Sequence, residues 1–205
     1  MALSLATASD GATQDPAAGR QAFLRAVQDL RAGRMPAACA GLEQALAADP
    51  GSIEARFYYG QCLYHLGRLD AAALQLGQVA RAEPAMPATH YYLGRLAYDR
   101  RRLAEAFEQL RQADSLDPGL PMVHYYLGLV YQAHAQPYAA QLEFGKALDL
   151  DPHLGLAAFS LAWVQFHSYG QAAAARASLR KALLANPDAA LRHRIDELRK
   201  VLPPD

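Results

Sequence analysis

Two histidines open identical five-residue strings, HYYLG at His90–Gly94 and again at His124–Gly128. Imidazole is a frequent metal ligand and general base near neutral pH, and a neighbouring tyrosine can donate or hold a proton. A His-Tyr-Tyr cluster placed twice therefore raises the prospect of a metal or acid–base centre. Cys39 and Cys62 add two groups capable of metal or redox chemistry. A third, altered copy of the string, RFYYG, lies at Arg56–Gly60, and its first residue stands 34 before His90, as His90 stands 34 before His124. Residues at a fixed period belong to successive units. Equivalent helices lie at least about 8–10 Å apart, whereas a zinc–nitrogen bond measures about 2 Å. No His-x3-His, Glu-x-x-His or Cys-x-x-Cys closes a site. His90 and His124 therefore read as packing residues, and no metal, cofactor or catalytic residue is expected.

The elements that position these residues follow from the same period. Prolines fall at Pro50, Pro84, Pro118, Pro152 and Pro187, spaced 34, 34, 34 and 35. Each follows an acidic or amide residue, as ADP, AEP, LDP, LDP and ANP. Ahead of each proline a small residue precedes a bulky one: Ala38 and Leu42, Ala72 and Leu76, Ala106 and Leu110, Ala140 and Phe144, Ala175 and Leu179. Midway through the units come breaks at Gly33, Gly67, Arg100–Arg102, Ala135–Pro137 and Gly170. Glycine ends helices and proline cannot continue one, so each unit reads helix, turn, helix, turn. No stretch alternates with period two. The fold class is all-α.

Composition narrows the function classes. Twenty basic side chains balance twenty acidic ones, which gives no global bias toward nucleic acid or an anionic membrane. No apolar run reaches the roughly 20 residues that span a bilayer. Two cysteines cannot build a disulfide framework, and both are expected as free, buried thiols. Residues 1–17 are small, polar and aperiodic. They read as a disordered lead-in or the remnant of a secretory signal whose basic start is missing.

The repeat resembles the tetratricopeptide family, whose 34-residue unit carries small and large residues at set places. With position 1 at Gly19, Ile53, Pro87, Pro121 and Gly155, the family's Leu-Gly at positions 7 and 8 is met by Leu93-Gly94 and Leu127-Gly128. Tyr59-Gly60 and Leu161-Ala162 are variants of it. Position 20 is Ala38, Ala72, Ala106 and Ala140, and position 27 is Ala45, Val79, Ala113 and Ala147. In the fifth unit the second helix matches one residue later, which places an extra residue in the turn around His167–Gly170. The resemblance implies a right-handed α-solenoid of five helix pairs, with repeats 19–52, 53–86, 87–120, 121–154 and 155–187 inside a domain of residues 18–187. Residues 188–205 supply a capping helix and tail, with Leu191, Ile195, Leu198 and Leu202 on one stripe.

In this register positions 4, 7, 8 and 11 of each first helix form the buried stripe. Positions 5, 6, 9 and 12 face the opposite way, toward what the resemblance implies is a concave groove. Those positions hold Phe57, Tyr58, Gln61 and Tyr64 in the second unit and Tyr91, Tyr92, Arg95 and Tyr98 in the third. They hold Tyr125, Tyr126 and Leu129 in the fourth and Phe159 and Trp163 in the fifth. Aromatics at positions 5 and 12 also serve packing in this family. Tyrosine and tryptophan suit recognition surfaces, because a large apolar body carries a polar tip. Some family members clamp acidic chaperone tails with Lys, Asn and Arg on this stripe. Here the central window offers Phe57, Gln61, Tyr92, Met122 and Tyr126, so a less charged, partly apolar peptide or helix is expected instead. The basic turn Arg100–Arg102 reads as a solvated loop.

The expected function is a non-catalytic protein–protein interaction scaffold or adaptor of bacterial type. The alternative is an exported, periplasmic assembly factor of a bacterial envelope complex, and an enzyme or cofactor carrier is the least supported class. Cytoplasmic placement is favoured unless an upstream signal is missing. Nucleic acid and a membrane span are not expected, and homo-oligomerisation is left open.

Overall fold

A computed structural model of the chain describes residues 16–203. Among them are eleven α-helices and no strand. In chain order they are α1 (Pro16–Arg31), α2 (Met35–Ala48), α3 (Ile53–His65), α4 (Leu69–Ala82), α5 (Pro87–Asp99) and α6 (Leu103–Leu116). There follow α7 (Pro121–Ala133), α8 (Pro137–Leu150), α9 (Gly155–Tyr169), α10 (Ala172–Leu184) and α11 (Ala189–Val201). Consecutive helices pack as five hairpins, α1 with α2 through α9 with α10, and α11 packs on α9 and α10. The lead-in expected over residues 1–17 lies, through residue 15, outside the described residues. Pro16 and Ala17 already belong to α1.

Close contacts divide the chain after Pro84 into two compact units. The first holds α1–α4 around Ala26, Leu42, Leu63 and Leu76, and the second holds α5–α11.

The turns follow from local chemistry. Each of the first four hairpins is closed by three residues, and the middle one takes positive φ: Gly33 (72°), Gly67 (72°), Arg101 (61°) and Ala135 (54°). Between pairs, the aspartate before proline folds back on the backbone. The Oδ1 atoms of Asp49, Asp117 and Asp151 accept the N–H of Gly51, Gly119 and His153 at 3.0, 2.9 and 2.9 Å. This Asx turn replaces a bond the ending helix cannot supply. It explains why the DP dipeptide recurs.

The three middle hairpins close tightly because glycine at position 8 has no side chain. A Cβ on Gly60, Gly94 or Gly128 would sit 2.6 Å from Leu76 Cγ, 2.7 Å from Leu110 Cγ or 2.5 Å from Phe144 Cε1. The bulky residue of the second helix fills the space a side chain would need. Ala38, Ala72, Ala106, Ala140 and Ala175 are fully buried on the facing helices.

Two expectations are corrected. The deepest residues of the first helices are not confined to positions 4, 7, 8 and 11. Ala55, Thr89, Val123 and Ala157 at position 3, and Cys62, Leu96, Val130 and Val164 at position 10, are all buried, whereas Tyr59, Leu93 and Leu161 at position 7 are half-buried. Neighbouring hairpins cover a wider arc of each helix than one contact stripe. The extra residue of the fifth unit is also not in the turn. α9 runs to 15 residues against 13 for α3, α5 and α7, while the turn after it shrinks from three residues to two, Gly170 (φ 65°) and Gln171. Another residue of helix adds a backbone hydrogen bond, which a longer loop does not.

At the C-terminus, Asp188 caps α11 by accepting the Leu191 N–H at 2.7 Å. Leu191, Ile195, Leu198 and Leu202 are buried beneath it, as the amphipathic pattern requires.

Candidate interaction face

The repeated histidines are interior residues, though not by aromatic packing. His90 Nδ1 lies 2.9 Å from Gln109 Oε1, and His124 Nδ1 lies 2.8 Å from Glu143 Oε2. In the second repeat Arg56 Nη1 donates to Gln75 Oε1 at 2.9 Å. All three bonds join position 4 of the first helix to position 23 of the second, a polar clasp inside each of these three hairpins. His124 Nε2 also faces the Pro118 carbonyl at 3.1 Å, while Lys146 Nζ meets Glu143 Oε1 at 2.7 Å. The expectation that these histidines serve as plain packing residues is corrected accordingly: a buried polar group needs a partner, and each has one. Among the described residues no group of three or more His, Cys, Asp or Glu is arranged to hold a metal ion.

Cys39 and Cys62 are buried and free, and their thiols are hydrogen-bonded to each other. Cys62 Sγ lies 3.1 Å from the Met35 carbonyl. Burial pushes both thiols up, Cys62 to about 12, which keeps them protonated and unreactive.

In the first unit, Tyr58 packs between Phe23 and Phe57, with ring centroids 5.7 and 5.6 Å away. Phe57 is buried, while Tyr58, Gln61 and Tyr64 are half-buried. In the second unit the tyrosines of α5 and α7 form one edge-to-face network. Tyr126 is its centre, 5.9 Å from Tyr91, 5.8 Å from Tyr98 and 5.3 Å from Tyr125, and Tyr91 continues to Tyr92 at 5.0 Å. The Arg95 guanidinium stands 5.5 Å from the Tyr126 ring centroid, and Nη1 donates to the Tyr91 hydroxyl at 3.4 Å. Burial raises the phenol pKa of Tyr91, Tyr92, Tyr98 and Tyr125.

Burial divides the aromatics of the stripe into packing residues and reachable ones. Phe57, Tyr125, Tyr126 and Phe159 are only 7, 7, 8 and 4 % exposed. At position 5 the rings of Phe57, Tyr125 and Phe159 turn into the core, as Tyr125 does 6.0 Å from Phe144 of its own hairpin, while Phe23 and Tyr91 stay half-buried. Tyr91, Tyr92, Arg95, Tyr98 and Leu129 are half-buried, and Trp163 is 36 % exposed and stacked on His167 at 4.2 Å. These remain reachable from solvent. Beside them opens a cleft of about 710 Å³ whose lining includes Tyr98, Arg101, Leu129, Phe159, Trp163 and Arg194. Reasoning from the sequence missed Arg101 and Arg194, because one lies in a turn and the other on the terminal helix.

Residues 29–96 and residues 75–121 each match a family described as tetratricopeptide repeat. Tetratricopeptide repeats thus run through residues 29–121, the fold is an all-α run of helix pairs, and repeats of this class are in general protein–protein interaction scaffolds. Proteins of this class are in general non-catalytic. The solved structures the chain resembles include TTC0263, a thermophilic tetratricopeptide protein of Thermus thermophilus, at 26 % identity, with 90 % of this chain and 100 % of that chain covered and a TM-score of 0.72. PilF of Pseudomonas aeruginosa shares 20 % identity over 90 % of this chain and 85 % of its own, with a TM-score of 0.74. MamA of Desulfovibrio magneticus shares 20 % over 82 % and 94 %, with a TM-score of 0.70. The last two likenesses speak to fold alone. A sequence comparison with curated proteins returns no match.

Proposed function

We propose that the chain is a non-catalytic scaffold that holds a peptide or helix of a partner protein on the tyrosine-rich face of α5, α7 and α9. The observation that carries this reading is the half-exposed set Tyr92, Arg95, Tyr98, Leu129 and Trp163, backed by rings already locked in the core. A partner gains contact with side chains whose freedom the fold has already restricted, so little ordering entropy opposes binding. Binding energy in such surfaces concentrates in a few aromatic and arginine side chains. Tyr92 and Arg95 are anchors of that kind.

Affinity capture with the intact protein, set against the Tyr92→Ala/Arg95→Ala double variant, tests the reading. Each substitution is expected to weaken partner binding by about 1–2 kcal/mol. The thermal midpoint should stay close to the parent's, since neither side chain belongs to the helix-pair core. A folded double variant that captures the same partners with unchanged affinity would sink the proposed face.

A further inference from the structure

The cleft of the second unit joins an apolar floor to a cationic rim. Leu129, Phe159 and Trp163 provide the floor, while Arg101 and Arg194 provide the charge, and no aspartate or glutamate is among the lining residues. Arg101 projects from the turn after α5, at the positive-φ position that glycine fills in other hairpins. Arg194 comes from α11, and its guanidinium carbon lies 4.4 Å from the centroid of the Phe159 ring. That placement holds a cation over an aromatic face at the edge of the cleft. Among the described residues neither guanidinium has an ion-pair partner within 4.0 Å. Both cations act on the Tyr98 phenol, where they oppose the upward push of burial and Asp99. The two carboxylates of α11 are already engaged, Glu197 by Lys200 at 2.6 Å and Asp196 by Arg199 at 3.9 Å.

We infer that this cleft takes an acidic segment of a partner protein, with carboxylates on Arg101 and Arg194 and an apolar side chain on Leu129, Phe159 and Trp163. The inference rests on the scaffold reading and gives its partner a chemistry, replacing the weakly charged ligand expected from the sequence. Complementary charge at an exposed rim steers association and selects the partner, while the floor retains it. The terminal helix then has two tasks, covering the last hairpin and supplying one wall of the site. A protein segment is favoured over nucleic acid because the chain as a whole carries no basic excess, with 20 cationic and 20 anionic side chains.

The chain's single tryptophan, Trp163, lies in this cleft, so its fluorescence reports occupancy. Random peptides displayed on phage are selected on the full chain, and the enriched sequences are synthesised and titrated against Trp163 emission. Acidic clusters beside a Leu, Phe or Trp are the expected enrichment. Their affinity should fall about tenfold or more on Arg101→Glu/Arg194→Glu, and less on Arg101→Gln/Arg194→Gln, which guards against a fold defect. It should also weaken as ionic strength rises through about 0.1 M. Peptides without net negative charge, equal binding to the variants, or no enrichment at all would overturn the inference. So would a single-stranded oligouridylate that shifts Trp163 emission where the peptides do not. Partners still captured through Tyr92 and Arg95, independently of Arg101 and Arg194, would remove this inference and leave the scaffold reading standing. Failure to capture any partner would remove both.

Discussion

His124 and Glu143 sit on facing helices of one hairpin, 2.8 Å apart between Nδ1 and Oε2, with both side chains almost withdrawn from water. The pair repeats, in altered chemistry, as His90 with Gln109 and Arg56 with Gln75. The residues that first suggested catalysis are the clasp of the repeat. Removing the carboxylate leaves the imidazole Nδ1 without its partner, although Nε2 keeps the Pro118 carbonyl, and a buried polar atom without a partner costs about 1–3 kcal/mol. Glu143→Ala is accordingly expected to lower the unfolding free energy by that amount in urea titrations at neutral pH. Gln109→Ala, facing a histidine through a neutral amide, should cost less.

Glycines in the helices divide into two kinds. Gly128 faces Phe144, and an added Cβ would meet the ring at 2.5 Å, while a Cβ on Gly145 would meet nothing within 4 Å. Gly128→Ala should therefore destabilise by about 1–3 kcal/mol through overpacking. Gly145→Ala should stabilise by up to about 1 kcal/mol, because alanine is the better helix former. Thermal unfolding of the two variants reads opposite signs from the same chemical change.

Ala135 holds φ 54° at the tip of the α7–α8 turn, where the first two hairpins carry glycine. A left-handed alanine costs about 1–2 kcal/mol, and the greater freedom of glycine in the unfolded chain offsets part of that. Ala135→Gly should raise stability by up to about 1 kcal/mol. A fall in the thermal midpoint would show that the turn is not strained.

The buried thiols and phenols predict an alkaline limit. The pKa of Cys62 is pushed up to about 12 and those of Cys39, Tyr91 and Tyr125 upward, in each case chiefly by burial. A group whose folded pKa exceeds its unfolded one stabilises the fold fully below the unfolded value, about 8.5 for a thiol and 10 for a phenol. That contribution is lost as pH climbs toward the folded value. Unfolding free energy should be flat through about pH 8 and decline between about pH 9 and 12. Two thiols should titrate with a disulfide reagent in the unreduced, denatured chain and react slowly in the native one. No titratable thiol after denaturation would mean that Cys39 and Cys62 are bridged.

The residues themselves show which features were legible in advance. Pro50, Pro84, Pro118 and Pro152 at equal spacing, with Gly94 and Gly128 in register, determined the helix-pair repeat. Backbone restriction and missing side chains act locally, and the same requirement recurs in each unit. The stripe of Leu191, Ile195 and Leu198 determined the terminal helix in the same way, through a periodicity contained within one segment. Only the tertiary structure decided which position-5 rings turn inward. Whether a ring such as Tyr125 is covered depends on the hairpin beside it and on Phe144, not on its place along α7. The clasp from His124 to Glu143 likewise joins helices whose relative rotation no single segment specifies. Arg194 meets Phe159 across a longer stretch of chain, where two residues with no shared pattern become neighbours through packing alone. Periodic, local constraints are written in sequence order; the meeting of side chains from different helices depends on how those helices pack.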